Sequence, residues 1–314
     1  MKQTAPLRVG ISACLLGQKV RYDGGHKRDA FAADLLGRFV EFVPVCPEME
    51  IGLGTPRESI HLKEVDGDVR LVAPRSGRDL TEDMHRYAGK RADALAREDL
   101  CGFILKKGSP SCGLERVSVH RSGPPTKSGV GFFARALLAR WPDLPVEDEG
   151  RLNDPRLREN FLERVFATHR LRGLEKGLGA LVRFHTAEKL LLMAHDPASY
   201  QTLGRLVANG KGRPWGELTA DYRSAFLRAL AVLPTRSRHV NALQHAAGYF
   251  RDKATEAERR ELAGAIEDFR RELVPLIVPV TLLRSAARVH GVDYLIGQTY
   301  LSPHPKELML RNHA

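Results

Sequence analysis

Three of the four cysteines in the chain stand in places that suit chemistry. Cys14 follows the short apolar segment LRVGISA, Cys46 follows VEFVPV, and Cys112 sits in GSPSCG, shortly after CGFILKK. Thiolates are soft donors, and three readings are open for such a set. Structural zinc prefers four protein ligands, usually with a close pair such as C-x-x-C, and this chain has no such pair. An iron–sulfur cluster normally takes four cysteines, so three would leave one iron open to substrate, as Lewis-acid chemistry requires. The third reading is unliganded thiols. Cys101 opens its own segment, so at ~3.3 Å per residue it falls about 20 Å from the other end of that strand. It reads as a buried structural thiol.

The flanking residues add acid, base and hydroxyl groups. C-P-E places Glu48 two residues after Cys46, where a carboxylate in a turn can reach the same crevice. S-P-S-C offers Ser109 and Ser111, as hydroxyls for a site or as turn caps. RYDGGHK supplies Asp23 and Lys27 around a glycine turn, and GLGTPRES places Arg57 in a glycine-bounded loop. Both are candidate substrate contacts or ordinary surface charge.

These residues depend on the elements that carry them. In the first half, strand-like segments at 7–13, 40–45 and 101–107 alternate with helix-like DAFAADLLGRF, TEDMHRYAGKRADALARED and GFFARALLARW. VRLVAP, 69–74, is a third strand or a hairpin arm. Such alternation predicts an α/β, Rossmann-like domain with a mostly parallel sheet. Ligands of such sheets bind outside the C-terminal strand ends, which is where Cys14, Cys46 and Cys112 fall. Residues 146–156, VEDEGRLNDPR, lack apolar periodicity and read as a linker between a domain at 1–145 and another at 157–314. Beyond it, apolar residues recur at three- and four-residue steps, predicting an all-α domain.

No run approaches the ~20 apolar residues of a membrane span. The opening MKQTAPLRVGIS has no signal-peptide core, so the expected location is the cytoplasm, where disulfides are disfavoured. SGVGFFARAL lacks a complete phosphate fingerprint, and neither a nicotinamide nor a flavin cofactor is expected. The net charge of +11 is uneven: 23 Lys+Arg stand against 21 Asp+Glu up to Gly150, and 26 against 17 beyond it. A basic second half points to a polyanionic partner.

SACLLGQKVRYDGGHK, PVCPEMEIGLGTPRE and KKGSPSCG together resemble the TudS thiouracil desulfidase family over about the first 145 residues. FHTAEKLLLMAHDP, RHVNALQHAAGYF, VPLIVPVTLLR and YLSPHPKELMLRNH resemble the helical domain fused to it in RudS-type desulfidases, which remove sulfur from 4-thiouridine in tRNA. The resemblance implies a [4Fe–4S] cluster held by Cys14, Cys46 and Cys112 with one open iron. It also implies catalytic roles for Glu48 and Ser109, which leaves Ser111 to the turn. Thiolated tRNA becomes the expected substrate, with release of sulfide. Free thiouracil or a thionucleoside is the alternative substrate, and a non-enzymatic iron–sulfur sensor that binds nucleic acid is the alternative class. A basic helical face would hold the RNA, with Arg183, Lys189, Arg236, Arg238 and His239 as candidate contacts. SPHPKE is either a rigid loop facing RNA or a chain-ending turn.

Overall fold

In the computed structural model, residues 6–312 are described, and the chain divides into two compact units, Met1–Asn153 and Asp154–Ala314. Residues 1–5 of the segment read as lacking a leader lie outside the described residues. In chain order the first unit has β1 (Arg8–Ser12), β2 (Glu41–Val45), α1 (Pro47–Glu50), β3 (His61–Val65), β4 (Asp68–Val72), α2 (Thr81–Leu95), β5 (Leu100–Leu105), β6 (Val117–Arg121), β7 (Gly123–Gly129), α3 (Phe132–Arg140) and β8 (Val146–Asp148).

The main sheet has the order β2-β1-β5-β8, with every pair parallel. β5 is buried at all six positions, as expected of a continuous apolar run covered on both faces. The expected α/β architecture is present, with an addition. A second sheet, β4-β3-β6-β7, joins two antiparallel hairpins through a parallel β3–β6 pair. VRLVAP is the hairpin arm: β3 turns into β4 through Asp66-Gly67, both at positive φ, the pairing a tight hairpin favours. DAFAADLLGRF is not a regular α-helix but a π-type turn, Phe31–Leu35, followed by a 3-10 turn, Leu36–Arg38.

The linker reading of 146–156 is corrected. Val146–Asp148 are all buried and pair with Phe103–Leu105 as the edge strand of the main sheet. Their acids concealed the strand. Arg151 neutralises Glu147 locally, Nε to Oε1 at 2.7 Å, and its backbone N–H donates to Asp148 Oδ1 at 2.8 Å.

The second unit runs through α4 (Pro155–Arg172), α5 (Leu178–Ala187), α6 (Lys189–His195), α7 (Pro197–Ala208), α8 (Trp215–Ala231), α9 (Arg236–Ala247), α10 (Glu256–Arg270), α11 (Ile277–Val289) and α12 (Asp293–Ile296). Their apolar faces meet in one core that includes Tyr222, Phe226, Phe250, Phe269 and Tyr300. Start signals are written in the sequence. Asp154 caps α4 ahead of Pro155, and Thr255 with Glu258 forms a capping box on α10.

Within this core lies a charged group. Arg311 reaches Glu163 Oε1 at 2.8 Å, and His195 Nε2 lies 3.1 Å from Glu163 Oε2. Glu159 Oε2 accepts from the Arg311 backbone N–H at 3.0 Å. Beside them His239 is 4% exposed and bonded through Nδ1 to Tyr300 Oη at 2.9 Å. Burial, with the Arg311 charge adding, pushes His239 down to about 3. An unfolded chain therefore binds this proton more readily, and stability is lost as pH falls from 6.5 toward that value. The linkage is on the order of 3 kcal/mol by pH 4. His239→Asn should unfold with a visibly shallower loss of melting temperature between pH 7 and pH 4 than the parent, which calorimetry at stepped pH would measure.

Candidate active site

The strand order explains how distant cysteines meet. β2, β1 and β5 are neighbours and parallel, so the segments leaving their C-terminal ends share one edge. Cys14 lies in the 3-10 turn after β1, Cys46 caps α1 directly after β2, and Cys112 follows the loop after β5. All three line one cavity of about 380 Å³. Cys101 does not join them; it is buried at the start of β5.

Burial raises all three thiols, and the charge of neighbouring cysteines adds to it at Cys14 and Cys112. Cys14 is pushed up to about 11, by burial first and then by Cys46. Cys46 rises chiefly by burial, and Cys112 lies well above the usual range through burial, then Glu48 and the other two cysteines. A cation is what would draw these protons off. Among the described residues no three His, Cys, Asp or Glu side chains are grouped to hold a single metal ion. Three soft donors lining one cavity fit a larger, thiophilic group such as an iron–sulfur cluster.

The GSPSCG turn is locked from two sides. Ser109 Oγ accepts from the backbone N–H of Ser111 at 3.2 Å and of Cys112 at 3.1 Å. The N-terminus of α3 has free N–H groups to satisfy, and the loop supplies their acceptors. Phe132 donates to Pro110 O at 3.2 Å and Phe133 to Ser111 O at 2.9 Å. Backbone meets backbone so closely here that a Cβ on Gly131 would lie 2.5 Å from Ser111 O. A Cβ on Gly113 would lie 2.7 Å from Ser109 O. Gly113 and Gly131 therefore serve one packing contact, which holds Cys112 in place.

Glu48 is held on both oxygens. Arg57 donates to Oε2 through Nη2 at 2.6 Å and Nε at 3.2 Å, while Ser111 Oγ donates to Oε1 at 3.0 Å. The side chains of Arg57 and Glu48 are 7% and 16% exposed, so water screens the pair only in part. The division of labour expected for the two serines changes accordingly. Ser109 lines the cavity and also caps the turn; Ser111 is fully buried behind Glu48 and orients it. A hydrogen bond to a charged group contributes about 1.5–3 kcal/mol. Ser111→Ala should lower turnover about tenfold with unchanged melting temperature and unchanged iron content, measured on anaerobically prepared protein.

Arg57 is thus neither a free anion contact nor a solvated arginine, but the partner of Glu48. Lys27 lines the cavity, and its backbone N–H donates to Cys14 O at 3.0 Å. Asp23 is exposed and outside the lining, with Oδ1 accepting from Gly25 N at 3.0 Å as a turn cap. Two groups were not anticipated. Lys106 lines the cavity and is ion-paired to Glu149, which also accepts from Lys107 N at 2.6 Å. Their signal was present, in the KK before GSPSC and in an acid of the supposed linker.

The expected RNA contacts scatter. His239 cannot serve, being buried in the core against Tyr300. Arg236 donates to Phe269 O at 2.7 Å, and Arg238 to His195 O at 2.6 Å, so both guanidiniums tie helices together. Lys189 lies 6.0 Å from each of the Tyr200 and Tyr294 rings, and Arg183 is exposed on α5.

Comparison with known proteins agrees with this division. Residues 9–149 match the family model described as 2-thiouracil desulfurase, and residues 189–305 match DUF1722, a family of unknown function. The chain is 34% identical to the uncharacterized protein YbgA of Escherichia coli (strain K12) over 168 residues, 51% of this chain and 98% of YbgA. It is 29% identical to the uncharacterized protein YbbK of Bacillus subtilis (strain 168) over 153 residues, 46% of this chain and 97% of YbbK. A solved structure, the [4Fe-4S]-dependent thiouracil desulfidase TudS, is 32% identical, covering 48% of this chain and 97% of that one, with a TM-score of 0.41. The chain belongs to one family with YbgA, and its first unit carries the match to the 2-thiouracil desulfurase model.

Proposed function

We propose that this protein is an iron–sulfur-dependent desulfidase that converts 4-thiouridine in tRNA to uridine and releases sulfide. The observation that carries the reading is one cavity lined by Cys14, Cys46 and Cys112 together with a carboxylate fixed on both oxygens. The three cysteines would hold a [4Fe–4S] cluster with one iron left open. When bound, that cluster supplies a thiophilic site for the sulfur of a thiocarbonyl. Glu48 takes one proton from the water that attacks C4 and returns it to the departing sulfur, and the added hydroxyl gives up the second proton to solvent as C=O forms and hydrosulfide leaves, so the net change is hydrolysis of C=S to C=O. Arg57 and Ser111 keep the carboxylate aimed throughout. Ser109 accepts two backbone N–H groups, which occupy its lone pairs and leave its hydroxyl hydrogen to donate. It therefore orients the pyrimidine or relays a proton, and is a poor nucleophile. A base within folded RNA must leave its stack to reach such a cavity.

The basic second half of the chain supports RNA over a free base as substrate. The test compares kcat/KM for thiolated tRNA and for 4-thiouridine nucleoside under anaerobic conditions. The tRNA value should exceed the nucleoside value by at least about a hundredfold at low salt, through the added phosphate contacts. Equal values would assign the enzyme to free thiopyrimidines. A bound cluster with no turnover of either would leave a sensor.

A further inference from the structure

The residues first expected to meet RNA are mostly consumed by internal contacts, so the surplus charge of the second unit must be displayed elsewhere. A cavity of about 780 Å³ opens between α11 and the segment 301–312. Arg284 and Arg288 line it from α11, and Lys306 lines it from the facing loop. Among the described residues no carboxylate side chain lines it. Arg288 and Lys306 are exposed and Arg284 is half-buried. Thr281, Ser285 and Asn312 add hydroxyl and amide groups to the same wall.

The walls are built to stay in place. Arg284 and Arg288 are one helical turn apart, so both project to one side of α11. The opposite wall is the SPHP loop, pinned from behind by Arg170, whose Nη1 donates to Pro303 O at 2.9 Å. Arg311 continues that anchor into the core through Glu163 at 2.8 Å. The loop is therefore a fixed wall with one exposed lysine. Beside the apolar Val289 and Met309, three cations and hydroxyl donors, with no acid side chain among the described residues, form a surface that a phosphodiester strand complements.

We infer that this groove binds the phosphate backbone of RNA through Arg284, Arg288 and Lys306. The inference rests on the RNA reading of the substrate and adds the surface that engages it. Its test uses the full-length, cluster-loaded protein with an unmodified tRNA transcript, so that binding is separated from turnover. Affinity is measured by fluorescence anisotropy across a salt series, for the parent, Arg284→Gln/Arg288→Gln and Arg284→Lys/Arg288→Lys. Losing two phosphate contacts should flatten the slope of log K against log[salt] by about 1.4–1.8. Affinity near physiological salt should fall about tenfold or more, and the lysine pair should restore most of the slope. Desulfidation of 4-thiouridine nucleoside and the melting temperature should stay at parental values in both variants.

An unchanged slope in the glutamine pair would overturn the groove while leaving the desulfidase reading intact. Failure of the parent to bind the transcript at low salt would overturn the groove and the RNA reading together, and nucleoside turnover would show that the chemistry survives. If poly-glutamate binds in a manner that depends on Arg284 and Arg288 while the transcript does not, the occupant is an acidic protein surface and the inference is wrong.

Discussion

Replacing Cys112 with alanine is expected to abolish desulfidation, by about a thousandfold or more, and to remove the visible absorption of the anaerobic protein. The size follows from losing a Lewis-acid site that contributes several kcal/mol, at 1.36 kcal/mol per tenfold. Folding should survive. Cys112 packs in an apolar cluster with Phe103, Phe133 and Leu137, where alanine leaves only a small void. Its loop remains held by the α3 N–H groups and by Ser109. A melting temperature within a few degrees of the parent, together with lost iron, separates loss of the cluster from loss of structure. Cys101→Ala is the matched control, because that thiol is also buried but lies at the far end of β5.

The second large effect belongs to Glu48. Glu48→Gln should lower kcat by about 10²–10⁴, the range of a positioned acid–base group, while iron and sulfide content stay at the parental level. Glutamine keeps the length and still accepts from one neighbour, so position is largely retained and proton transfer is lost. Arg57 would then lack its counter-charge. Removing one partner of a fully enclosed pair costs about 3–5 kcal/mol. This pair borders a cavity, and a cost of about 2 kcal/mol is expected once partial solvent screening is allowed for. If kcat falls only in proportion to lost iron, Glu48 holds the site together and does not move protons.

Much of the site was legible in sequence because strand ends are legible. An apolar run followed by a turn marks where a parallel strand stops, and three cysteines at such points predict convergence before any coordinate is known. What could not be read was pairing. Arg57 and Glu48 are nine residues apart, and nothing in GLGTPRES says that its arginine turns back onto the C-P-E turn. Ser111 and Glu48 lie 63 residues apart, and their bond depends on how the loops from β2 and β5 pack. β8 was missed because burial of Glu147 and Asp148 relies on Arg151, and periodicity treats buried, paired acids as surface. β7, GPPTKSG, is an exposed edge strand with prolines, a composition that reads as loop.

In the helical unit the failure has the same cause. Composition counts cations but does not say which are consumed. His239, Arg236 and Arg238 lie in a basic-looking motif, yet each bonds to another helix or to the chain's end. Arg284 closes the segment VPLIVPVTLLR and Arg288 follows one turn later, and only the structure shows that both line the same groove.

The central claim is that one cavity, with three thiolate anchors and Glu48, exchanges sulfur for oxygen on a thiolated base. Its most direct measurement is an anaerobic incubation of cluster-loaded protein with tRNA containing 4-thiouridine, counting uridine by nucleoside analysis and sulfide in the same sample. The account predicts one uridine and one sulfide for each 4-thiouridine lost, and neither product with Cys112→Ala. Equal conversion by Cys112→Ala, or by a colourless preparation loaded with zinc, would contradict it.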